Sequence, residues 1–156
     1  MEKKYELLED DCLRAGERTV YRIRALRDFA DVRRGDLGGY IEGEENLDHQ
    51  GEAWVGDVAQ VYGPHGCVRG NGRVSGEAWV LGIVEDDAQI CDLVVVAEGA
   101  YVGGRTIVCA DEIVTGEQRM GRGGRRRYAV RNCDGLDSAE RMAAAVLLCR
   151  DGQGMF

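Results

Sequence analysis

Residues 51–84 read GEAWVGDVAQVYGPHGCVRGNGRVSGEAWVLGIV, and branched residues recur here at intervals close to six. The series continues downstream, and its members are Val55, Val61, Val68, Val74, Val80, Val84, Ile90, Val96, Val102, Val108 and Val114. A small or apolar residue stands two positions before most of them, as Ala53, Ala59 and Ala78 do. Residues two apart share one face of a strand. Each unit is therefore predicted to be a short strand with two inward side chains and one outward side chain, followed by a turn.

One such unit is too small to bury its apolar pair, but stacked units bury a continuous core. An antiparallel sandwich or barrel is the competing interpretation, and it usually shows turn signals about every 8–12 residues. The closer spacing of this chain favours a solenoid.

Three segments carry a family resemblance, namely GEAWVGDVAQVYG, NGRVSGEAWVLG and EGAYVGG. They resemble the hexapeptide repeat of left-handed β-helix proteins, in which three units make one triangular coil. The resemblance implies an all-β chain whose residues 47–116 form a left-handed parallel β-helix of between three and four coils. The left-handed crossover, an exception to the usual rule, comes from the resemblance, because the spacing itself indicates only a repeat.

Three units per coil place the outward residue of every third unit on one face. The first face then carries Trp54, Arg73, Gln89 and Ile107, the second Gln60, Trp79, Val95 and Ile113, and the third Cys67, Ile83 and Tyr101. The second and third faces are apolar for a surface in water. We therefore expect an oligomer or docking face made of Trp79, Val95, Ile113, Ile83 and Tyr101. Either the terminal segments or another subunit would cover it, and proteins of this family are often trimers.

The repeat is irregular at three points. A seven-residue step contains residues 63–66, which are predicted to bulge from a corner. A four-residue step between Val80 and Val84 requires a tighter turn or a disturbed strand. Glu112 occupies a position that is normally small and inward, so we expect the coil to fray or end there.

Residues 1–46 are predicted to form an N-terminal β cap, with strands at 5–8, 19–26 and 40–42. Within them RALRDF, GDLGGYIE and the ENL-x-H step resemble the start of phage and prophage hexapeptide-repeat proteins, some of which carry a transferase label. This resemblance covers about residues 1–115. It implies origin and architecture, and it transfers no established catalytic residue.

Residues 117–156 are predicted to hold a basic segment and a C-terminal α-helix, which begins at a capping-box pattern over 137–140 and ends near Arg150. The candidate ligand- or partner-binding residues are Arg122, Arg125, Arg126, Arg127 and Tyr128. Arginine forks match phosphate and carboxylate groups. This pattern predicts a site for phosphate, a nucleotide or an acidic partner; the alternative is pairing with the chain's own carboxylates.

Two histidines bear on the question of catalysis. The resemblance implies an acyltransferase alternative, in which a histidine acts as general base beside coenzyme A. His65 and His49 are the weak candidates for that role. Carbonic anhydrases of this fold hold their metal with three histidines. Two are therefore too few, and no metal and no resident cofactor are predicted.

The composition and charge of the chain limit the kinds of partner that we expect. The formal net charge is −8, so general binding to nucleic acid is not expected. No apolar stretch follows the charged start, which predicts a soluble chain without a membrane partner. Together with the resemblance to phage proteins, this implies a location in the cytoplasm of a bacterial host. The six cysteines lack CxxC spacing and are expected to be reduced thiols. Cys91 and Cys109 lie one coil apart and should stack as thiols without a role, with a redox bond or a metal site as the alternatives.

These observations predict a non-enzymatic phage-type binding protein. Its β-helix would engage a host protein or an anionic nucleotide, as an inhibitor of bacterial defence and as a homo-oligomer. The acyltransferase is the first alternative, and a structural part of a phage particle is the second.

Overall fold

The structure is a computed structural model that describes residues 3–109, 112–115, 117–120 and 129–132. Strands dominate these residues, and the helical element among them is one 3₁₀ turn at Glu44–Asn46. No helix in these ranges is long and apolar enough to cross a bilayer. The predicted all-β parallel β-helix is confirmed. The predicted C-terminal helix lies outside the described residues.

The chain begins with three longer strands, β1 (Tyr5–Ala15), β2 (Arg18–Ala25) and β3 (Leu37–Ile41). β1 and β2 form an antiparallel hairpin, and β2 also pairs antiparallel with β3. The hairpin turns at Gly16, whose φ of 64° is readily adopted by glycine. The sequence predicted this hairpin, although β1 is longer than the strand expected from the pattern.

Short strands then follow at the spacing of the repeat. They are β4 (Trp54–Val55), β5 (Gln60–Val61), β6 (Cys67–Val68), β7 (Arg73–Val74), β8 (Trp79–Val80), β9 (Ile83–Val84), β10 (Gln89–Ile90), β11 (Val95–Val96), β12 (Tyr101–Gly104), β13 (Ile107–Val108), β14 (Glu112–Thr115) and β15 (Glu117–Met120). A further strand, β16 (Ala129–Asn132), pairs antiparallel with β14.

Three sheets form the faces of the solenoid. One has the order β4, β7, β10, β13, and another has the order β6, β9, β12, β15. The third runs β3, β5, β8, β11, β14 in parallel, with β1 and β2 beyond one edge and β16 beyond the other. Trp54 pairs with Arg73, and Gln60 pairs with Trp79. The three faces predicted from the repeat are therefore confirmed.

The core consists of the inward side chains of these coils. Ala53 and Val55 are fully buried, and so are Ala59, Val61 and Val80. A buried methylene contributes about 0.8 kcal/mol. Each unit contributes little alone, and stability accumulates as the coils stack.

Corner residues connect one coil to the next. Asp57 and Asp86 have positive φ, and their carboxylates accept hydrogen bonds from the backbone N–H groups of Gly76 and Gly104 at 2.9 and 2.8 Å. Gly76 has a φ of 70°, and a Cβ there would lie 2.7 Å from the backbone N of Asp92. The corners thus use aspartate where a side chain can bridge two coils and glycine where the next coil is too close.

The ladder is longer than the repeat alone indicates. Tyr40 already pairs in parallel with Gln60, and β15 pairs in parallel with β12. Glu112 lies within a paired strand, so the expected fraying at this residue is wrong. At the four-residue step the corner tightens around Gly82, where a Cβ would lie 2.3 Å from the carbonyl oxygen of Ala100.

Candidate functional site: a groove on the first face

A groove of about 830 Å³ lies over the sheet formed by β4, β7 and β10. Trp54, Arg73 and Gln89 line it from three successive coils. The segment between β2 and β3, which includes Asp31 and Asp36, forms a wall, and Leu37 continues it at the start of β3. We call this site the first-face groove. Its base is held in register by hydrogen bonds between coils.

Local hydrogen bonds shape the wall. Phe29 and Val32 exchange backbone hydrogen bonds of 2.9 and 2.8 Å, with Ala30 between them at a φ of 47°. The Phe29 ring is buried and meets the Trp54 ring edge-on at a centroid distance of 5.3 Å. Asp28 accepts a hydrogen bond of 2.8 Å from the backbone N–H of Arg34. The wall is therefore an ordered turn anchored on the aromatic base of the groove.

Arg73 connects the wall to the solenoid. Its guanidinium donates to the carboxylate of Asp31 and, through Nη1, to the carbonyl oxygen of Glu52 at 3.3 Å. The Arg73 side chain is 30% exposed, whereas that of Asp31 is 79% exposed. An ion pair this open contributes little to stability. It can be exchanged for contacts with a ligand at low cost.

The charge of the groove is acidic. Four carboxylates and one guanidinium lie around it, which gives a formal charge of −3. They belong to Asp31, Asp36, Glu52, Asp57 and Arg73. Leu37 adds an apolar side chain that is 56% exposed. A surface that combines carboxylates with an exposed aliphatic group suits a protein segment better than a phosphate.

His49 is part of the packing at the N-terminal end. Its ring stacks on Tyr5 at a centroid distance of 4.1 Å. Nδ1 accepts a hydrogen bond of 3.1 Å from the backbone N–H of Lys4, which leaves Nε2–H to donate to Glu44 at 2.7 Å. This hydrogen bond, followed by that from Lys3, holds the pKa of Glu44 below its usual value. Both ring nitrogens of His49 are thus committed to structure.

His65 occupies a different environment. It lies on the predicted bulge at 63–66, with its side chain 64% exposed and Nε2 at 3.7 Å from a carboxylate oxygen of Glu98. The structure does not bring His65 and His49 to a shared set of partners. Of the two candidate bases, His65 is the one whose ring is open to a substrate.

Lys4 and Tyr5 complete the N-terminal end, and the sequence pattern missed them. Lys4 is buried, and its Nζ donates to the carbonyl oxygens of Ala53 and Gly51 at 2.7 and 3.4 Å. Desolvation, followed by the charge of Arg27, lowers the pKa of Lys4 to about 8. We call Lys4, Tyr5 and His49 the N-terminal plug. The plug satisfies carbonyl groups of the first full coil that pair with no strand among the described residues.

The Tyr5 hydroxyl also binds the backbone of the first coil. It donates to the carbonyl oxygen of Leu47 at 2.6 Å and lies 3.2 Å from that of Glu44. Burial, and then the charge of Glu44, raises the pKa of the Tyr5 phenol. The sequence signal for Lys4 and Tyr5 is a Lys-Tyr pair at the start of the first strand, which does not distinguish the plug from an exposed terminus.

The predicted apolar face divides into two parts. Val95 and Ile113 are fully buried and Trp79 is 8% exposed, although they point away from the solenoid interior. This burial is that of a single chain, and whether a terminal segment or another subunit docks on this face stays a prediction. Ile83 and Tyr101 on the other face are half-buried. An oligomer contact there stays a prediction.

The predicted anion site lies beyond the described part of the chain. Its residues Arg122, Arg125, Arg126, Arg127 and Tyr128 are all outside the described residues. The first-face groove is a different site of opposite charge, and its wall residues carried no repeat signal.

One pair of cysteines differs from the prediction that all six are reduced thiols. Cys91 and Cys109 form a disulfide with a Cα–Cα distance of 4.8 Å, so the prediction of two unbonded thiols is wrong. Cys12 and Cys67 are free. Burial raises the pKa of the Cys67 thiol. A parallel coil places residues 18 apart at one corner, which is why this pair meets.

Comparison with known proteins adds no assignment. No family model matches this chain, and no curated protein matches it.

Proposed function

We propose that this chain is a non-enzymatic, phage-type binding protein that engages a protein of its bacterial host through the first-face groove. The observation that carries the proposal is the groove itself, a concave surface across three coils with an acidic rim and an exposed leucine. Inhibition of a host defence complex is the consequence we propose for that contact, in line with the resemblance to phage proteins.

Rigidity supports this proposal. The base of the groove belongs to a hydrogen-bonded ladder, as in the 3.0 Å bond between the N–H of Arg73 and the carbonyl oxygen of Ala88. Binding loses affinity when loops and side chains must be ordered, at about 0.5–1.5 kcal/mol for each immobilised side chain. A preformed groove avoids most of this cost.

The nucleotide-binding version of the proposal rests on another region. Arg122, Arg125, Arg126 and Arg127 offer guanidinium groups for phosphate, whereas the groove offers mainly carboxylates. Carboxylates repel phosphate, so the two ligand classes require different sites. A charge-specific experiment therefore separates them.

The acyltransferase alternative retains one observation in its favour, the exposed His65 beside Glu98. A general base needs to reach the acceptor hydroxyl or amine to within about 3 Å, and a neighbouring carboxylate can orient it. Turnover of acetyl-coenzyme A by the wild type, and its loss in His65→Ala, would favour this alternative over the binding protein.

The test compares two leucines. Leu37 is 56% exposed in the groove, and Leu13 is 39% exposed on β1, away from the groove lining. Tagged wild-type, Leu37→Asp and Leu13→Asp chains are used to capture host proteins, and the captured protein is then purified for affinity measurement. We expect Leu37→Asp to weaken binding about tenfold or more, a loss of about 1.4 kcal/mol, while Leu13→Asp binds as the wild type does.

Two outcomes would contradict the assignment of the groove. Equal affinity of Leu37→Asp and the wild type would remove the groove from the interface. Loss of binding in a triple Arg125→Ala, Arg126→Ala, Arg127→Ala chain, with full binding by Leu37→Asp, would assign the interface to the arginine segment instead.

A further inference from the structure

We propose that Cys91, Cys109 and Asp92 form a binding site for one thiophilic divalent metal ion, of the Zn²⁺ class, when the disulfide is reduced. This site is separate from the first-face groove and does not depend on the proposed function. The backbone positions the three side chains, and the chemistry of their ligand atoms selects the class of metal.

The backbone places the two cysteines one above the other. β10 and β13 pair in register through Ile90 and Val108, and each cysteine follows directly after its strand. The Cys91 N–H donates to the carbonyl oxygen of Val108 at 3.0 Å, and the Cα atoms of the cysteines lie 4.8 Å apart. This spacing comes from the coil ladder and not from the disulfide alone. Reduction should therefore leave the two sulfur atoms close together.

Asp92 adds an oxygen ligand from the same corner. Its φ of 60° turns the chain immediately after Cys91. The carboxylate oxygen and the two Sγ atoms all lie within 4.8 Å of one another. Both cysteines are half-buried and Asp92 is exposed, so an ion can approach from solvent.

The ligand set selects a class of metal. Zinc binds thiolate sulfur at about 2.3 Å, so two sulfurs on one tetrahedral ion lie about 3.8 Å apart, within the span that the coil spacing permits. Two thiolates favour Zn²⁺ over Mg²⁺ or Ca²⁺, which prefer all-oxygen sites. With three protein ligands, water completes the tetrahedron.

The disulfide form and the metal-bound form exclude each other. In the disulfide the sulfur atoms are bonded to each other and carry no negative charge. A phosphine reductant breaks the S–S bond, delivers two electrons and becomes a phosphine oxide with oxygen from water, whose two protons go to the sulfurs. Metal binding then releases those two protons as the thiols become thiolate ligands.

The experiment uses the full chain, reduced with a phosphine that is then removed under anaerobic conditions. Co²⁺ serves as a spectroscopic probe, because thiolate-to-cobalt charge-transfer bands and intense tetrahedral d–d bands report the ligands, and displacement by Zn²⁺ gives the affinity. The compared samples are the reduced wild type, the oxidised wild type, a Cys91→Ser, Cys109→Ser double variant and Asp92→Asn. The matched control is Asp87→Asn, which removes the same charge from an exposed carboxylate outside the cluster.

We expect the reduced wild type and Asp87→Asn to bind one ion with thiolate bands, and Asp92→Asn to bind at least about tenfold more weakly. The oxidised wild type and the double variant, which retains the other four cysteines, should lack this site. Asparagine tolerates the left-handed φ, so Asp92→Asn should keep the fold.

The proposal is overturned if the reduced wild type binds no more Co²⁺ than the double variant does. Equal affinity of Asp92→Asn and the wild type would also overturn the three-ligand site. Should the double variant fail to fold by circular dichroism, the oxidised wild type provides the same comparison in an intact fold.

Discussion

The middle coils and the N-terminal end of the solenoid are stabilised by different means. In the middle, the same pair of small and branched side chains recurs, as in Ala78 and Val80, and both are fully buried. At the end, the plug of Lys4, Tyr5 and His49 consists of three different polar side chains. Each plug residue makes its own hydrogen bond to the backbone or accepts one from it.

This difference follows from what each region lacks. A middle coil has a neighbour on both sides, so its backbone groups pair in the ladder and its side chains need only fill space. An end coil has a neighbour on one side and exposes unpaired groups that must be satisfied or covered. The plug supplies donors to the carbonyl oxygens of Leu47, Gly51 and Ala53.

Removing a plug ring should affect stability most. We expect Tyr5→Ala to lower the free energy of unfolding by about 3–5 kcal/mol, because a fully buried aromatic ring and its hydrogen bond to Leu47 are lost. Urea unfolding measured by circular dichroism gives the value.

The matched change in a middle coil is Val80→Ala, which removes two buried methyl groups and should cost about 2 kcal/mol. A larger loss for Val80→Ala than for Tyr5→Ala would show that the end contributes no more than a repeating unit does, and the comparison would fail.

A smaller effect should appear as a pH dependence confined to the end. The pKa of Lys4 is about 8 in the folded chain, against an ordinary lysine value of 10.5, so the unfolded chain holds more of this proton between those values. Stability therefore rises with pH through this window. Between about pH 7.5 and about pH 9.5 the wild type should gain about 1–2 kcal/mol relative to Lys4→Met.

The titration of Tyr5 ends the rise of stability with pH. Burial raises the pKa of Tyr5, so above about pH 10 the unfolded chain loses this proton first and stability falls. Parallel curves for the wild type and Lys4→Met across the lower window would exclude Lys4 as the source of the rise.

The smallest losses of stability should come from replacing the two histidines, His49 at the N-terminal end and His65 in the middle region. His49→Ala removes the acceptor of the Lys4 N–H and the ring stack, and should cost about 1–2 kcal/mol. His65→Ala changes an exposed corner of the middle region and should stay within about 0.5 kcal/mol of the wild type. Thermal unfolding of both variants in one buffer gives the comparison, and equal losses would contradict the distinction between end and middle.

Much of the solenoid was predictable because its contacts repeat. Alternation within each unit determines which side chains point inward, and the period of three units determines which outward residues stack. Trp54, Arg73 and Gln89 therefore lie in one column, as expected. The tight step after Val80 was also visible as a change in spacing, although the role of Gly82 required the backbone of the neighbouring coil.

The candidate site was less predictable because it depends on contacts that occur once. The ion pair between Asp31 and Arg73 joins residues 42 positions apart, and no repeat links them. Cys91 and Cys109 could be placed at one corner from their spacing, but their bond depends on side-chain directions at that corner.

The period of six residues was enough to determine the inward residues, because translation along a solenoid places the same local pattern in the same environment. The assignment of the outward residues to three sheets also needed the three units per coil that the hexapeptide resemblance implies. The plug, the first-face groove and the disulfide were decided only when distant segments met. The Nζ of Lys4 and the carbonyl oxygen of Ala53 are 49 residues apart in the chain and 2.7 Å apart in space. A contact made once has no periodic signal in the sequence, so its partner is identified by the fold.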